Sequence, residues 1–143
     1  MKKVILTISL IFIFNFIIFT GCTNKKDIGE KNEVSESVTE DIKVINIDAQ
    51  EAKKEIEKNE VIILDVRSEE EYNSGHIENS ILIPIDKLEE EAENILNDKN
   101  KKILVYCRSG NRSKKASNIL LEKGYTNVYD FGGIKDWPYE IVK

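Results

Sequence analysis

The sequence predicts an α/β domain in which a mostly parallel sheet of five strands carries helices on both faces. Short apolar runs rich in Ile and Val alternate with amphipathic segments from about residue 44 onward, which is the pattern of a parallel sheet covered by helices. Two of these runs, residues 61–64 (VIIL) and 103–106 (ILVY), are continuously apolar, as expected for central strands buried on both faces. Neither an internal repeat nor a second domain is visible.

The individual elements follow from these runs and from capping residues. Asp48, Ser68 and Asp86 are candidate N-caps of the first three helices, and Gly124 follows the last helix; such residues are typical of helix ends. The predicted strands cover residues 44–47, 61–65, 80–83, 102–107 and 128–131. The predicted helices between them cover residues 49–57, 69–73, 87–97 and 112–123.

The first 43 residues are predicted to lie outside the folded domain. Two lysines precede an apolar stretch at residues 4–19, and Thr20-Gly21-Cys22 follows. This order is typical of a secretion signal, and its end resembles the lipobox of bacterial lipoproteins. We therefore predict a signal peptide at 1–21, a lipid on Cys22, a flexible polar stalk at 22–43 and the folded domain at 44–143.

The same segment predicts the location of the protein. Lipid on Cys22 would anchor the chain to the outer face of the bacterial cytoplasmic membrane, so that the domain is extracytoplasmic. An uncleaved membrane anchor is the alternative, although residues 4–19 are shorter than the stretch of about 20 apolar residues that a spanning helix needs. The domain faces outward in both cases.

Charge argues against a nucleic-acid partner and points to a small anion. The net charge is −5, whereas nucleic-acid binding requires a concentrated basic face. Of 21 basic residues only three are arginines, Arg67, Arg108 and Arg112, and two of these lie within five residues of Cys107. Because the guanidinium fork suits oxyanions, this distribution indicates an anion site beside Cys107.

Cys107 is the candidate nucleophile. It ends a predicted central strand directly before a helix, which is where ligands bind in open α/β sheets. Backbone N–H groups of such a loop and the start of the helix can point to one centre, and this arrangement stabilises a thiolate, an anionic persulfide or an oxyanion. A buried structural cysteine is the alternative. The polar, flexible residues after Cys107 do not suit a core position, so an activated thiolate is the better interpretation.

Four motifs stand in order along the domain: residues 64–72 (LDVRSEEEY), 75–77 (GHI), 107–113 (CRSGNRS), and 132–134 (GGI) followed by Trp137. Together they resemble the rhodanese family, and the resemblance covers residues 46–137. It implies a single rhodanese-like domain with thiosulfate sulfurtransferase-like activity, a small-molecule sulfur donor and a thiol acceptor. A protein thiol is a further acceptor that the sequence leaves open. Neither a cofactor nor a metal is implied.

The resemblance also implies roles for single residues. Cys107 would accept the sulfane sulfur and hold it as a persulfide. Asp65 and Arg67 are expected to form a structural ion pair that supports the neighbouring segments. His76 would be structural, because its family position is structural and the loop activates Cys107 without a base. The residues that would bind the substrate are Arg108, Ser109, Gly110, Asn111, Arg112 and Ser113.

Two other functions stay open at this point. One is a non-catalytic carrier that delivers its persulfide to a partner protein. The other is a cysteine phosphatase or an arsenate reductase, but the Cys-based phosphatases resemble one another in having five residues between Cys and Arg. Here four residues separate Cys107 from Arg112, and the shorter loop fits a sulfur atom better than a phosphate.

Overall fold

The computed structural model describes residues 42–58 and 60–143. The predicted leader, the lipidation site at Cys22 and the stalk up to residue 41 lie outside the described residues. None of the helices in these two ranges is long and apolar enough to cross a membrane. The strands are β1 (Ile45–Asn46), β2 (Val61–Asp65), β3 (Ile81–Leu82), β4 (Lys102–Cys107) and β5 (Val128–Gly133). The helices are α1 (Ala49–Glu57), α2 (Glu69–Ser74), α3 (Leu88–Ile95) and α4 (Asn111–Glu122), followed by a 3₁₀ turn, Ile134–Asp136.

The five strands form one parallel sheet in the order β1-β5-β4-β2-β3. β4 lies at the centre, and each of its residues from Lys102 to Tyr106 pairs with one residue of β2. The predicted parallel five-stranded sheet is therefore confirmed. Because all strands run the same way, Cys107 at the end of β4 lies at the edge of the sheet where the carboxyl ends of the strands meet.

Helices cover both faces of the sheet, as predicted. Val105 and Cys107 point into a core that also contains apolar residues of α3 and α4. Leu104 and Tyr106, which alternate with them along β4, enter a second core with α1 and Trp137. This period of two is the expected geometry of a strand. The sulfur atom of Cys107 consequently lies on the α4 side of the sheet.

The structure corrects the start of the third helix. Asp86 is not its N-cap: the capping residue is Lys87, which makes no side-chain cap bond. The helix is entered through a turn in which the Lys87 N–H donates to the Pro84 carbonyl at 2.9 Å, so backbone bonds replace the expected side-chain cap. It also ends at residue 95 rather than 97. The caps at Asp48 and Ser68 are confirmed, the second as a complete capping box.

The last strand is longer than predicted. β5 continues past Phe131 to Gly133, because a register shift in β4 between Val105 and Cys107 brings Gly133 opposite Cys107. The edge strands β1 and β3 are shorter than predicted, with two residues each. The extension of β5 matters for the site, since it places a diglycine directly beside the loop that follows Cys107.

Candidate active site around Cys107

The loop after β4 turns back onto the sulfur atom of Cys107. Cys107 is 1% exposed, and Gly110 precedes the first residue of α4 with a φ of +93°, a left-handed conformation that glycine adopts without penalty. This turn allows the Gly110 N–H to donate a hydrogen bond to Cys107 Sγ at 3.1 Å. The short loop thus turns a backbone donor toward the thiol.

Hydrogen-bond donors of this loop make the thiol more acidic. Burial has the largest single influence and raises the pKa of Cys107, but the backbone N–H groups of Ser113, Ser109 and Gly110 and the Ser113 hydroxyl act in the opposite direction. Their combined effect exceeds that of burial, so the pKa of Cys107 is lowered from its ordinary value. Since the thiolate is the reactive form of cysteine, Cys107 is suited to nucleophilic attack.

Backbone contacts with the end of β5 hold the loop in place. The Ser113 hydroxyl oxygen lies 3.0 Å from the Gly110 carbonyl oxygen and 3.3 Å from the Gly132 carbonyl oxygen, so it links the loop to the end of β5. Gly133 approaches the loop so closely that a Cβ there would lie 2.6 Å from the Arg108 carbonyl oxygen. The absence of a side chain at Gly133 therefore allows the loop backbone to pack directly against the end of β5.

Arg112 is paired with a carboxylate that the sequence analysis did not identify. Its two terminal guanidinium nitrogens donate to the Glu71 carboxylate at 2.6 and 2.8 Å. These bonds are the main cause of a lowered Glu71 pKa of about 2. Glu71 also accepts from the Ser68 N–H at 3.1 Å. The sequence signal for Glu71 is the capping spacing from Ser68 to Glu71, but that spacing predicts only a helix start.

The remaining polar residues of the loop face solvent. Arg108, Ser109 and Asn111 are exposed, and Arg108 forms no ion pair with any residue of the described ranges. Of the two loop arginines, Arg108 therefore has the uncompensated guanidinium. It lies next to Cys107 in the chain, where its positive charge is available to an approaching anion.

Comparison with known proteins agrees with this geometry. The family profile of the rhodanese-like domain matches residues 48–139. The chain belongs to the rhodanese-like family. Thiosulfate sulfurtransferase PspE from Escherichia coli is 41% identical over 80 residues, which cover 56% of this chain and 77% of that protein.

Solved structures of rhodanese-like proteins share the fold. A rhodanese-related protein from Thermoplasma volcanium has a TM-score of 0.61 and 36% identity, over 68% of this chain and 97% of that one. A rhodanese with anions from Escherichia coli has a TM-score of 0.54 and 39% identity, over 57% of this chain and 96% of that one. The predicted fold class and family are thereby confirmed.

The Asp65-Val66-Arg67 segment at the end of β2 forms the expected ion pair. Arg67 Nε lies 3.0 and 2.9 Å from the two carboxylate oxygens of Asp65, and a terminal nitrogen of Arg67 lies 2.6 Å from Asp65 Oδ2. Asp65 is 0% and Arg67 5% exposed. Arg67 also donates to the Gly75 carbonyl at 2.8 Å. The pair thus ties the end of β2 to the segment after α2.

His76 and Trp137 have structural positions. The His76 ring stacks on Tyr72 with 3.7 Å between ring centroids, and the His76 backbone forms an antiparallel bridge with Val142. Trp137 is 8% exposed and lies 5.7 Å from the ring of Phe131 in the second core. Within the two described ranges, no group of three or more His, Cys, Asp or Glu residues could hold a metal ion.

Proposed function

We propose that this rhodanese-like protein transfers sulfane sulfur from thiosulfate or a similar donor to a thiol through a persulfide on Cys107. The observation that carries the proposal is the cradle around Cys107 Sγ, where loop N–H groups lower the thiol pKa. Donors that stabilise a thiolate stabilise the anionic outer sulfur of a persulfide equally well. The relative PspE is named a thiosulfate sulfurtransferase, which supports the same assignment.

The reaction consists of two substitutions at sulfur. In the first, the Cys107 thiolate attacks the outer sulfur of thiosulfate, the donor S–S bond breaks, and its electron pair leaves with sulfite. In the second, an acceptor thiolate attacks the outer sulfur of the persulfide, and the electron pair of the Sγ–S bond returns to Cys107. The exposed Arg108 attracts the anionic donor by charge. Over the full cycle the enzyme is unchanged and no external oxidant or reductant is consumed.

A persulfide carrier is the second candidate. Arg108, Ser109 and Asn111 face solvent around the loop, so a partner protein can bind against the loop that follows Cys107. In that case Cys107 still accepts sulfur, but small thiols remove it slowly and a protein thiol removes it fast. Persulfide formation alone does not separate the two candidates, whereas turnover with a small acceptor does.

The experiment uses the full chain in a nonionic detergent. Mass spectrometry of the Cys107 peptide after thiosulfate treatment should show the gain of one sulfur atom, and the Cys107→Ser variant should show none. Addition of cyanide should produce thiocyanate in repeated cycles. Absence of the added sulfur and of thiocyanate would contradict sulfur transfer. A stable persulfide with little thiocyanate or small-thiol turnover would favour the carrier.

We further propose that the domain is held outside the cytoplasm by a lipid on Cys22. The supporting observations are the basic start, the apolar stretch at 4–19 and the small residues before Cys22. The Cys22→Ala variant should lose the lipid on its N-terminal peptide, measured by mass spectrometry, and should change its distribution between membrane and soluble fractions. An N-terminal peptide that begins at Met1 in the wild type would favour an uncleaved anchor.

A further inference from the structure

An ion pair beside the active loop takes no part in the two substitutions. Arg112 lies in the first turn of α4, and its guanidinium binds the Glu71 carboxylate of α2 through two bonds of 2.6 and 2.8 Å. The side chains of Arg112 and Glu71 are 34% and 27% exposed. The positive charge of Arg112 is therefore neutralised by Glu71 of α2.

Charge at Arg112 acts on the reacting sulfur. The bonds to Glu71 contribute most to the raised pKa of Arg112, and the negative charge of the Cys107 thiolate raises it further. Interaction energies between charges are mutual, so the guanidinium also stabilises negative charge at the sulfur and on an incoming donor. The Glu71 carboxylate carries the opposite charge at hydrogen-bonding distance from Arg112, and the two effects on a third charge largely cancel.

We propose that Glu71 is a specificity-determining residue: by occupying Arg112 it limits the attraction of the loop for multiply charged anions, so that singly charged sulfur donors compete with dianionic ones. Arg108 then remains as the uncompensated guanidinium of the loop. Donors of the favoured class are singly charged species such as persulfides and thiosulfonates. The consequence for donor choice rests on the proposed sulfur transfer, whereas the electrostatic effect at Cys107 is measurable without it.

The first test compares two alkylating reagents on the full chain in nonionic detergent. Iodoacetamide is neutral and iodoacetate carries one negative charge. Both reagents react with the thiolate, so the ratio of their rates at Cys107 depends on the local electrostatic potential and not on the fraction of Cys107 that is ionised. Peptide mass spectrometry separates Cys107 from Cys22. In Glu71→Gln we expect the iodoacetate-to-iodoacetamide ratio to rise about threefold or more at low salt, and this rise to disappear in roughly 1 M salt.

Matched variants separate charge from folding. Glu70→Gln removes the same charge from an exposed position of the same helix. Ser68→Ala removes the two hydrogen bonds of the Ser68 hydroxyl to Glu71 and leaves the carboxylate of Glu71 available to Arg112. Both should change the ratio by less than half as much as Glu71→Gln. Arg112→Gln leaves the negative charge of Glu71 without its partner and should lower the iodoacetate-to-iodoacetamide ratio. This variant tests the proposal through a change in the opposite direction if Glu71→Gln does not fold. An unchanged or lower ratio in folded Glu71→Gln overturns the proposal.

The second test measures donor preference. In Glu71→Gln the KM for thiosulfate, a dianion, should fall about fivefold, and the KM for a singly charged thiosulfonate only about twofold, because the interaction energy scales with donor charge. A merely structural role of Glu71 would raise both KM values together. If the alkylation ratio shifts but the wild type transfers no sulfur, the proposed function fails alone. If the wild type transfers sulfur and the ratio does not shift, the present inference fails alone.

Discussion

Replacing Gly133 by alanine tests the packing that shapes the active loop. An added Cβ would lie 2.6 Å from the Arg108 carbonyl oxygen and 2.7 Å from Ser109 Cα. Both atoms belong to the backbone, so no flexible side chain can move aside. Ordinary van der Waals contact begins at 3.4 Å, and the shorter distance falls 0.8 Å below it. The loop must therefore move away from β5 by several tenths of an ångström or more.

This displacement should affect catalysis more than folding. Overpacking in a protein interior costs about 1–3 kcal/mol, whereas a misplacement of about 1 Å in a catalytic arrangement can cost about 10²-fold in rate. The N–H groups that lower the pKa of Cys107 belong to the displaced loop. We therefore expect Gly133→Ala to reduce kcat/KM for thiosulfate about 100-fold and to raise the pKa of Cys107 toward its ordinary value.

The assay combines thiocyanate formation with urea denaturation and with the pH dependence of Cys107 alkylation. Gly124→Ala is the matched control, because Gly124 has a φ of +86° beyond the end of α4 and an added Cβ would meet only Lys99 Cδ at 3.9 Å. It should lose about 1–2 kcal/mol of stability through backbone strain and keep its kcat/KM within about threefold of the wild type. If Gly133→Ala folds and retains comparable activity, the close packing does not position the loop.

Three further predictions concern side chains. Ser113→Ala removes a hydroxyl that lowers the pKa of Cys107, so the alkylation midpoint should move to higher pH and kcat/KM at pH 7 should fall about three- to tenfold; an unchanged midpoint would contradict this. Arg67→Met leaves the Asp65 carboxylate buried without its partner and should lower the free energy of unfolding in urea by about 3–5 kcal/mol; a loss below about 1 kcal/mol would show that the pair is not structural. The pKa of Glu71 is lowered from 4.5 to about 2, so its stabilising effect is present above pH 4.5 and is lost as the pH falls toward 2. The stability advantage of the wild type over Glu71→Gln should shrink across that window, and an advantage that stays constant down to pH 2.5 would refute the assignment.

Much of the fold could be predicted because it depends on local patterns. The bounds of β2 and β4 coincide with the predicted residues 61–65 and 102–107, since a fully buried parallel strand requires a continuous apolar run. The first helix begins after Asp48 as predicted, because the Asp48 carboxylate accepts from the Glu51 N–H at 2.8 Å. The third helix was predicted less well, because its start depends on a backbone turn and not on a capping side chain.

The site also contains residues that a local sequence pattern predicts and residues that it does not. Cys107 and its loop could be predicted because a cysteine, a glycine and two arginines follow a central strand within one short segment. The partner of Arg112 could not, since Glu71 lies 41 residues earlier in the chain and stands among three consecutive glutamates that also suit an exposed helix start. The role of Gly133 depends on the register shift in β4, which no local pattern indicates.

Residues far from Cys107 in the sequence influence its thiolate because they contact the loop whose backbone N–H groups stabilise it. Backbone N–H groups supply the stabilisation of the thiolate, so the identity of an exposed loop side chain such as Asn111 matters less than the path of the loop. Gly133 of β5 packs directly against the loop backbone, and Glu71 of α2 balances the charge of Arg112 at the start of α4. A rhodanese-like chain with an intact loop but altered partners at these two positions would keep the motif and lose either the geometry or the charge balance. We therefore expect the packing at Gly133 to influence the rate of sulfur transfer and the charge balance at Arg112 to influence the choice of donor.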